Sequence, residues 1–125
     1  MPTPEELRQL VDRYCQVTSS RDVDGYVALF TEDAVQADPA SNPPHVGHDA
    51  IRAFRQSAVE ASRSMAFEAL AVHISGPHAA IDFRVTVELD AGSMVIEGIE
   101  VFTAADDGRI QGVTAYWGDA DVTLA

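Results

Sequence analysis

Residues 81–89, IDFRVTVEL, alternate strictly between apolar and polar side chains. The apolar members occupy the odd positions, from Ile81 to Leu89, and charged residues or threonine occupy the even ones. Because successive side chains of a strand point to opposite faces of the sheet, this period predicts a strand with one buried face. Gly76-Pro77 before it and Asp90-Ala91-Gly92 after it are turn sequences, so hairpin neighbours are expected on both sides.

Outward from this stretch, the chain divides into a helical half and a strand half. Helices are predicted at 4–19, about 22–30 and 47–61, and strands at 34–38, 67–74, 94–103 and 109–117. Pro4 suits a first helical turn, and Asp22 is a plausible N-cap. Helices followed by hairpin-linked strands indicate an α+β fold, with three N-terminal helices packed on one face of a curved, mainly antiparallel β-sheet. Such a sheet can enclose an apolar pocket.

The composition indicates a single domain, 1–125, and excludes several classes of partner. The chain has 125 residues, and the 46% that are hydrophobic suffice for one core. A formal net charge of −12 disfavours nucleic acids and anionic membranes, because phosphates require basic side chains. No apolar run approaches the roughly 20 residues of a membrane helix. The opening MPTPEEL lacks a secretory pattern, and Cys15, the only cysteine, cannot form an internal disulfide, so we expect a cytoplasmic protein.

Three residues could carry acid–base chemistry, and each also has a purely structural interpretation. Tyr14 lies on the apolar face of the first helix, so its hydroxyl either bonds a backbone carbonyl in the core or donates into a cavity. Asp38, before a proline, is either part of a turn or a general base at a strand end. Glu100 shares a strand face with Ile96 and Phe102. It is therefore either a buried, protonated acid or a strand-edge carboxylate in water.

The sequence assembles no metal or nucleotide site. His45 and His48 could reach one metal ion, but no further ligands complete a set. The stretch Asp22-Val23-Asp24-Gly25 lacks the later ligands of a calcium loop. Gly-rich phosphate loops, serine elbows and Cys-His patterns are absent from the sequence. We therefore expect no metal and no cofactor.

An ordered series of short landmarks resembles the bacterial ketosteroid (steroid delta) isomerases, within the broader NTF2-like superfamily. The landmarks are Arg13-Tyr14, Asp33-Ala34, Asp38-Pro39, Pro43-Pro44, Gly47, Ile51-x-Ala53-Phe54, Phe83-Arg84-Val85, Gly108-Arg109-Ile110-Gln111 and Ala115-Tyr116-Trp117. The resemblance spans nearly the whole chain, although no single landmark is specific by itself. It implies the cone-shaped fold of the superfamily, in agreement with the pattern of helices and strands.

The resemblance also implies roles for individual residues. Tyr14 falls at the oxyanion-hole tyrosine of the family, Asp38 at its proton-shuttling aspartate, and Glu100 at its second oxyanion donor. The substrate-binding residues expected with them are Phe54, Phe83, Val113 and Trp117. The implied protein is a steroid delta-isomerase that acts on a hydrophobic ketone without a cofactor and forms a homodimer.

Two departures from the family pattern concern the catalytic tyrosine and its partner. Glu100 is one methylene longer than the aspartic acid that is usual there. Phe30 and Arg55 stand where the family has two supporting tyrosines, so we expect Tyr14 to lack that hydrogen-bonded network and Arg55 to face outward. Tyr26 is a conceivable substitute partner.

Alternatives to the isomerase remain open at the level of sequence. The nearest is another small-molecule enzyme of the superfamily, such as a polyketide cyclase. Epoxide opening would need an Asp-Arg-Asp arrangement around water, which the sequence does not assemble. A non-catalytic protein that binds a hydrophobic ligand is the third.

Overall fold

Three helices and seven strands form the predicted α+β architecture in the computed structural model, which describes residues 1–125. The helices are α1 (Pro4–Ser19), α2 (Val23–Ala28) and α3 (His48–Glu60). The strands are β1 (Phe30–Ala37), β2 (His45–Val46), β3 (Ser64–Ser75), β4 (His78–Leu89), β5 (Gly92–Ala104), β6 (Ile110–Tyr116) and β7 (Val122–Leu124). A 3₁₀ turn, Asp119–Asp121, precedes β7.

Local side-chain chemistry sets where the helices begin. The Thr3 hydroxyl accepts a hydrogen bond from the Glu6 N–H at 3.1 Å, and the Glu6 carboxylate accepts from the Thr3 N–H at 2.9 Å, which is a capping box. Asp22 caps α2 as predicted, since its carboxylate accepts from the Gly25 N–H at 2.9 Å. Gly47 precedes α3 with a φ of 87°, a conformation that side chains other than glycine rarely adopt. The predicted bounds of α1 and α3 are confirmed to within one residue.

The second helix and the first strand divide differently from the prediction. The expected helix runs to residue 30 and the expected strand begins at 34, whereas α2 ends at Ala28 and β1 begins at Phe30. The reason is a long-range pairing. Phe30 lies opposite Ile110 in a parallel ladder, and the Ile110 N–H donates to the Leu29 carbonyl at 2.7 Å. The sheet thus claims the backbone of a segment whose apolar spacing is helical.

The sheet is mixed but mainly antiparallel, with the strand order β2-β1-β6-β5-β4-β3 and β7 paired to β5. Only β1 and β6 run parallel. Strand β4, which contains the alternating residues 81–89, pairs along its whole length with β5, so that Ile81 lies opposite Glu100 and Phe83 lies opposite Gly98. Strands β2 and β7 are not predicted, because segments of two or three residues carry no readable period.

The buried side of the sheet packs against the helices and forms one core. On β4 the predicted inward residues Ile81, Phe83 and Val87 are buried, which confirms the alternation. The Phe67 and Phe83 rings stack with centroids 5.3 Å apart, and Tyr14 meets the ring of Phe102 edge-on at 4.9 Å. No helix is long and apolar enough to span a membrane.

Candidate active site

A cavity of about 380 Å³ opens between the helices and the buried side of the sheet. Twenty residues line it, of which thirteen are hydrophobic. Six of the seven predicted site residues are among them: Tyr14, Asp38, Phe54, Phe83, Glu100 and Trp117. The fold therefore brings residues from both halves of the chain to one largely apolar pocket.

Glu100 is a buried acid that is bonded to Tyr14. Its side chain is 2% exposed, which excludes the interpretation of a strand-edge carboxylate in water. The Tyr14 hydroxyl donates to Glu100 Oε1 at 2.9 Å. Burial, together with the negative charge of Asp38, raises the pKa of Glu100 to about 8. The pKa of Tyr14 is also raised well above its ordinary value, chiefly by burial.

The register of β5 explains why Glu100, and not Glu97, reaches the cavity. Glu100 pairs with Ile81 on one side and Ala115 on the other, both of them buried. Glu97 lies on the opposite face, where its carboxylate is 3.6 Å from Nε of Arg84. At Gly98 a Cβ would clash with the Tyr116 carbonyl and stand 3.1 Å from Cβ of Trp117. Only glycine permits the backbone to approach so closely there.

Asp38 follows the last residue of β1 and lies half-buried at the cavity wall. The indole Nε1–H of Trp117 donates to Asp38 Oδ1 at 2.7 Å, which fixes the carboxylate. Burial raises the pKa of Asp38, while the hydrogen bond from Trp117 and the positive charges of Arg55 and His45 counteract that rise. Asp38 is therefore a held carboxylate in an apolar wall rather than part of an exposed turn.

Tyr14 has the hydrogen-bonded network that the sequence prediction denied it. The hydroxyls of Tyr14 and Tyr26 are 3.2 Å apart, and Gln36 Nε2 donates to the Tyr26 hydroxyl. Tyr26 is therefore the substitute partner, supplied by α2. With its oxygen accepting from Gln36, Tyr26 can donate to Tyr14 and orient that hydroxyl. Gln36 was missed, although alternation along β1 places it on the same face as Ala34 and Asp38.

Arg55 does not face outward, contrary to the prediction. It lines the cavity, and its guanidinium carbon lies 4.8 Å from the centroid of the Tyr26 ring, which is a cation–π contact. Phe30, at the other family tyrosine position, packs against the same ring with centroids 5.1 Å apart. The helical period of α3 places Arg55 next to the apolar face of that helix. It does not show that the Tyr26 ring of α2 lies within reach of the guanidinium.

The remaining predicted residues divide between the cavity and the core. Phe54 lines the cavity, and its ring centroid is 4.5 Å from that of His45. Val113 is buried opposite Phe102 in the core and does not line the cavity, because it lies on β6 beyond Ala115 and Trp117. His48 Nε2 is 2.8 Å from the Phe30 carbonyl. No group of three or more His, Cys, Asp or Glu side chains is arranged to hold a metal ion.

The arrangement brings the carboxylate of Asp38 and two buried O–H donors, Tyr14 and protonated Glu100, to the same apolar space. A carboxylate of this kind can remove a proton, and hydrogen-bond donors can stabilise negative charge that develops on an oxygen. Arg55 adds a fixed positive charge to the wall. The site is therefore suited to acid–base chemistry on a hydrophobic ligand.

Comparison with known proteins shows the family. The model of the SnoaL-like domain matches residues 11–113, and the chain belongs to this family within the NTF2-like superfamily. The chain is 32% identical to the steroid delta-isomerase of Nocardioides simplex, over 95% of each chain. The expected resemblance is confirmed at this level.

Enzymes of another reaction are also similar to this chain. The epoxide hydrolase LasB of Streptomyces lasalocidi is 27% identical over 98% of this chain, which spans 52% of that protein. The structure of SalBIII, an epoxide hydrolase/cyclase-like enzyme with a role in pyran ring formation in the polyether salinomycin, superimposes with a TM-score of 0.92 over 100% of both chains, at 24% identity. At that identity the likeness concerns the fold.

Proposed function

We propose that this protein is a steroid delta-isomerase, which converts a β,γ-unsaturated 3-ketosteroid into its α,β-unsaturated isomer. The observation that carries the proposal is that Asp38, Tyr14 and Glu100 line one largely apolar cavity. Its volume of about 380 Å³ falls in the range of pockets that enclose small hydrophobic molecules. The similarity to the isomerase of Nocardioides simplex supports the same reaction.

In the first step, Asp38 takes a proton from the carbon between the ketone and the double bond. The electrons of that C–H bond shift toward the ketone, and a dienolate forms with negative charge on the oxygen. Tyr14 and protonated Glu100 donate hydrogen bonds to this oxygen, where they are stronger than in water because the wall is apolar. For this, the Tyr14 hydroxyl exchanges its acceptor from Glu100 to the ligand.

In the second step, Asp38 returns the proton to the γ carbon. The electrons of the dienolate form the new C–H bond, and the conjugated enone results. Asp38 is again ionised, so the cycle consumes neither protons nor electrons. One carboxylate can serve both carbons because the proton moves within a single bound molecule.

The two carboxyl groups suit opposite roles because their surroundings differ. A pKa of about 8 keeps Glu100 mostly protonated at neutral pH, so that it can donate a hydrogen bond. Asp38 has a pKa that burial raises and that Trp117, Arg55 and His45 restrain. An ionised carboxylate is a stronger base when the pKa of its conjugate acid is higher than in water.

The test is the absorbance of the conjugated enone when the purified protein meets 5-androstene-3,17-dione, with Asp38→Asn as the matched variant. We expect a rapid rise for the natural sequence and a loss of about 10²–10⁴-fold in rate for the variant. Steroid binding is followed separately through the fluorescence of Trp117, the single tryptophan, which lines the cavity. Tight binding without any rise in absorbance would contradict the isomerase and leave a ligand-binding protein.

An epoxide hydrolase/cyclase is the second candidate, and a specific arrangement favours it. Asp38, Arg55 and Glu100 line the same cavity, so a carboxylate, a guanidinium and a protonated acid come together there. One carboxylate would activate a hydroxyl or water while the acid protonates the epoxide oxygen. The similarity to LasB and SalBIII supports this alternative. Incubation with a hydrophobic epoxy alcohol, followed by NMR of the products, tests it: a cyclic ether or a diol that Asp38→Asn does not form would favour it.

We also propose that the protein is a cytoplasmic homodimer that pairs through the outer face of the sheet. Ile99 and Tyr116 are cross-strand neighbours on that face and are 42% and 54% exposed. Val35, on the neighbouring part of the sheet, is 41% exposed. Exposed apolar side chains that lie together are typical of interaction surfaces. Sedimentation equilibrium is expected to show a dimer, and Tyr116→Glu is expected to shift it toward the monomer.

A further inference from the structure

Arg55 is a cation in the cavity wall that has no carboxylate partner. None of the six ion pairs of the chain involves it, although the sequence contains 20 aspartate and glutamate residues. Its Nη2 lies 3.8 Å from the Met65 sulfur, its Nε is buried without a hydrogen-bond partner, and its guanidinium covers the ring of Tyr26. A half-buried charge that forms no ion pair is costly unless a negative charge lies in the cavity that it lines.

The titratable groups around this charge come from several elements. Asp38 follows β1, Glu100 lies on β5, and His45 lies on β2. The Tyr26 ring on α2 lies under the guanidinium, and the hydroxyl of Tyr14 on α1 is 3.2 Å from that of Tyr26. The charge of Arg55 lowers the pKa of Asp38, of Glu100 and of Tyr26 against the effect of burial, so it reaches both acids.

One negative charge occupies the cavity throughout the proposed reaction, but its position changes. In the proposed cycle it begins on Asp38, and in the dienolate it lies on the ligand oxygen next to Tyr14 and Glu100. A positive charge that reaches both positions neutralises the cavity in both states. In a poorly solvated space this interaction is stronger than at the protein surface.

We propose that Arg55 is the fixed counter-charge of this cavity, which selects hydrophobic ligands whose oxygen carries negative charge, such as enolates and phenolates, over their neutral forms. The inference rests on the proposed function for its place in the reaction, but its binding preference can be measured without turnover. Arg55 is thus a positioning residue that acts through its charge.

Ligand binding tests the preference in an Asp38→Asn background, where the charge of Asp38 no longer competes for Arg55, with 2-naphthol as the ionisable probe and 2-methoxynaphthalene as its neutral counterpart. The absorption spectrum distinguishes bound naphthol from bound naphtholate. We expect Arg55→Met to weaken naphtholate binding about tenfold or more, since removal of a nearby opposite charge shifts an ionisation by about 1–3 pKa units. Binding of 2-methoxynaphthalene is expected to change little, and Arg55→Lys is expected to retain most of the preference.

Arg52→Met is the matched control for loss of charge. Arg52 lies on the same helix, is exposed, and pairs with Asp24 outside the cavity. The substitution Arg52→Met should leave the binding of both probes unchanged. If Arg55→Met leaves the binding of both probes unchanged, or weakens the binding of both equally, Arg55 only packs against Tyr26 and the inference is wrong. Thermal unfolding of each variant, with Arg55→Gln as a second replacement, separates a folding defect from a change in preference.

The pH profile gives a second readout that packing alone would not move. Removal of the positive charge raises the pKa of Asp38, so the acidic limb of kcat/KM is expected to move to higher pH in Arg55→Met and to stay in Arg55→Lys. An unmoved limb in Arg55→Met would overturn the role in the reaction. If the natural protein isomerises no steroid, the naphthol experiment still decides whether Arg55 is a counter-charge, so the two proposals fail separately.

Discussion

The cavity contains two carboxyl groups in different surroundings. Around Glu100, strands β4 and β6 supply buried apolar neighbours, and the Tyr14 hydroxyl is its hydrogen-bond partner. Around Asp38, an indole N–H donates to the carboxylate, and Arg55 and His45 add positive charge. Burial raises the pKa of both groups, and at Asp38 the hydrogen bond from Trp117 and the charges of Arg55 and His45 restrain that rise. In the proposed reaction, the same functional group serves as an acid in one region and as a base in the other.

After Asp38→Asn, the largest effect on rate is expected at Glu100. Glu100→Ala removes a donor to the developing oxyanion and should lower kcat by about 10²–10³-fold. Glu100→Gln should cost less, because the amide still donates a hydrogen bond. Steady-state kinetics on the enone absorbance measures both. Equal losses of kcat for the two variants would indicate that Glu100 has to transfer its proton and that a hydrogen bond alone is not enough.

The pH dependence of stability tests the same region without a substrate. Because Glu100 has a pKa of about 8 in the folded protein and an ordinary value of 4.5, the folded state binds the extra proton between these values. Its contribution to the free energy of unfolding is therefore full at low pH, falls as the pH rises above 4.5, and is lowest above about 8. Denaturant unfolding from pH 5 to 9 measures this. Glu100→Gln should remove the slope, and a slope unchanged by that substitution would contradict the raised pKa.

On the Asp38 side, the hydrogen bond from Trp117 is expected to have a smaller effect on rate. Trp117→Phe keeps an aromatic wall but removes the donor, which destabilises the ionised carboxylate. The pKa of Asp38 should rise, and the acidic limb of kcat/KM should move upward by about one pH unit, since hydrogen bonds to charged groups contribute about 1.5–3 kcal/mol. A rate that falls equally at every pH would mean that Trp117 only shapes the pocket.

The smallest effect is expected from the network behind Tyr14. Tyr26→Phe removes the hydroxyl between Tyr14 and Gln36, which should lower the rate by about tenfold or less, in line with a neutral hydrogen bond of about 0.5–1.5 kcal/mol. It should also lower the free energy of unfolding by about 1–3 kcal/mol, because Gln36 Nε2 is left buried without a partner. The double variant with Gln36→Leu should recover part of that stability, and failure to recover any would argue against the network.

The fold could be predicted where one local pattern suffices. The alternation of residues 81–89, the helix-start residues Pro4 and Asp22 and the turns between strands led to the correct class and placed most element bounds within three residues. The boundary between α2 and β1, by contrast, depends on a parallel pairing with Ile110, some 80 residues away in the chain. No local pattern contains that information.

In the site, the sequence patterns and the family resemblance identified the candidate residues. Tyr14, Asp38 and Glu100 stood out through their position on apolar faces and through the resemblance to a family, and all three reach the cavity. Their hydrogen-bond partners depend on the tertiary structure: Tyr26 and Gln36 support Tyr14, and Trp117 holds Asp38. The same is true of the inward position of Arg55 and of the burial of Val113 in the core. The physical reason is that a periodic pattern reports on which side of its own element a residue lies. Hydrogen bonds, burial and charge compensation depend instead on which other element meets that side.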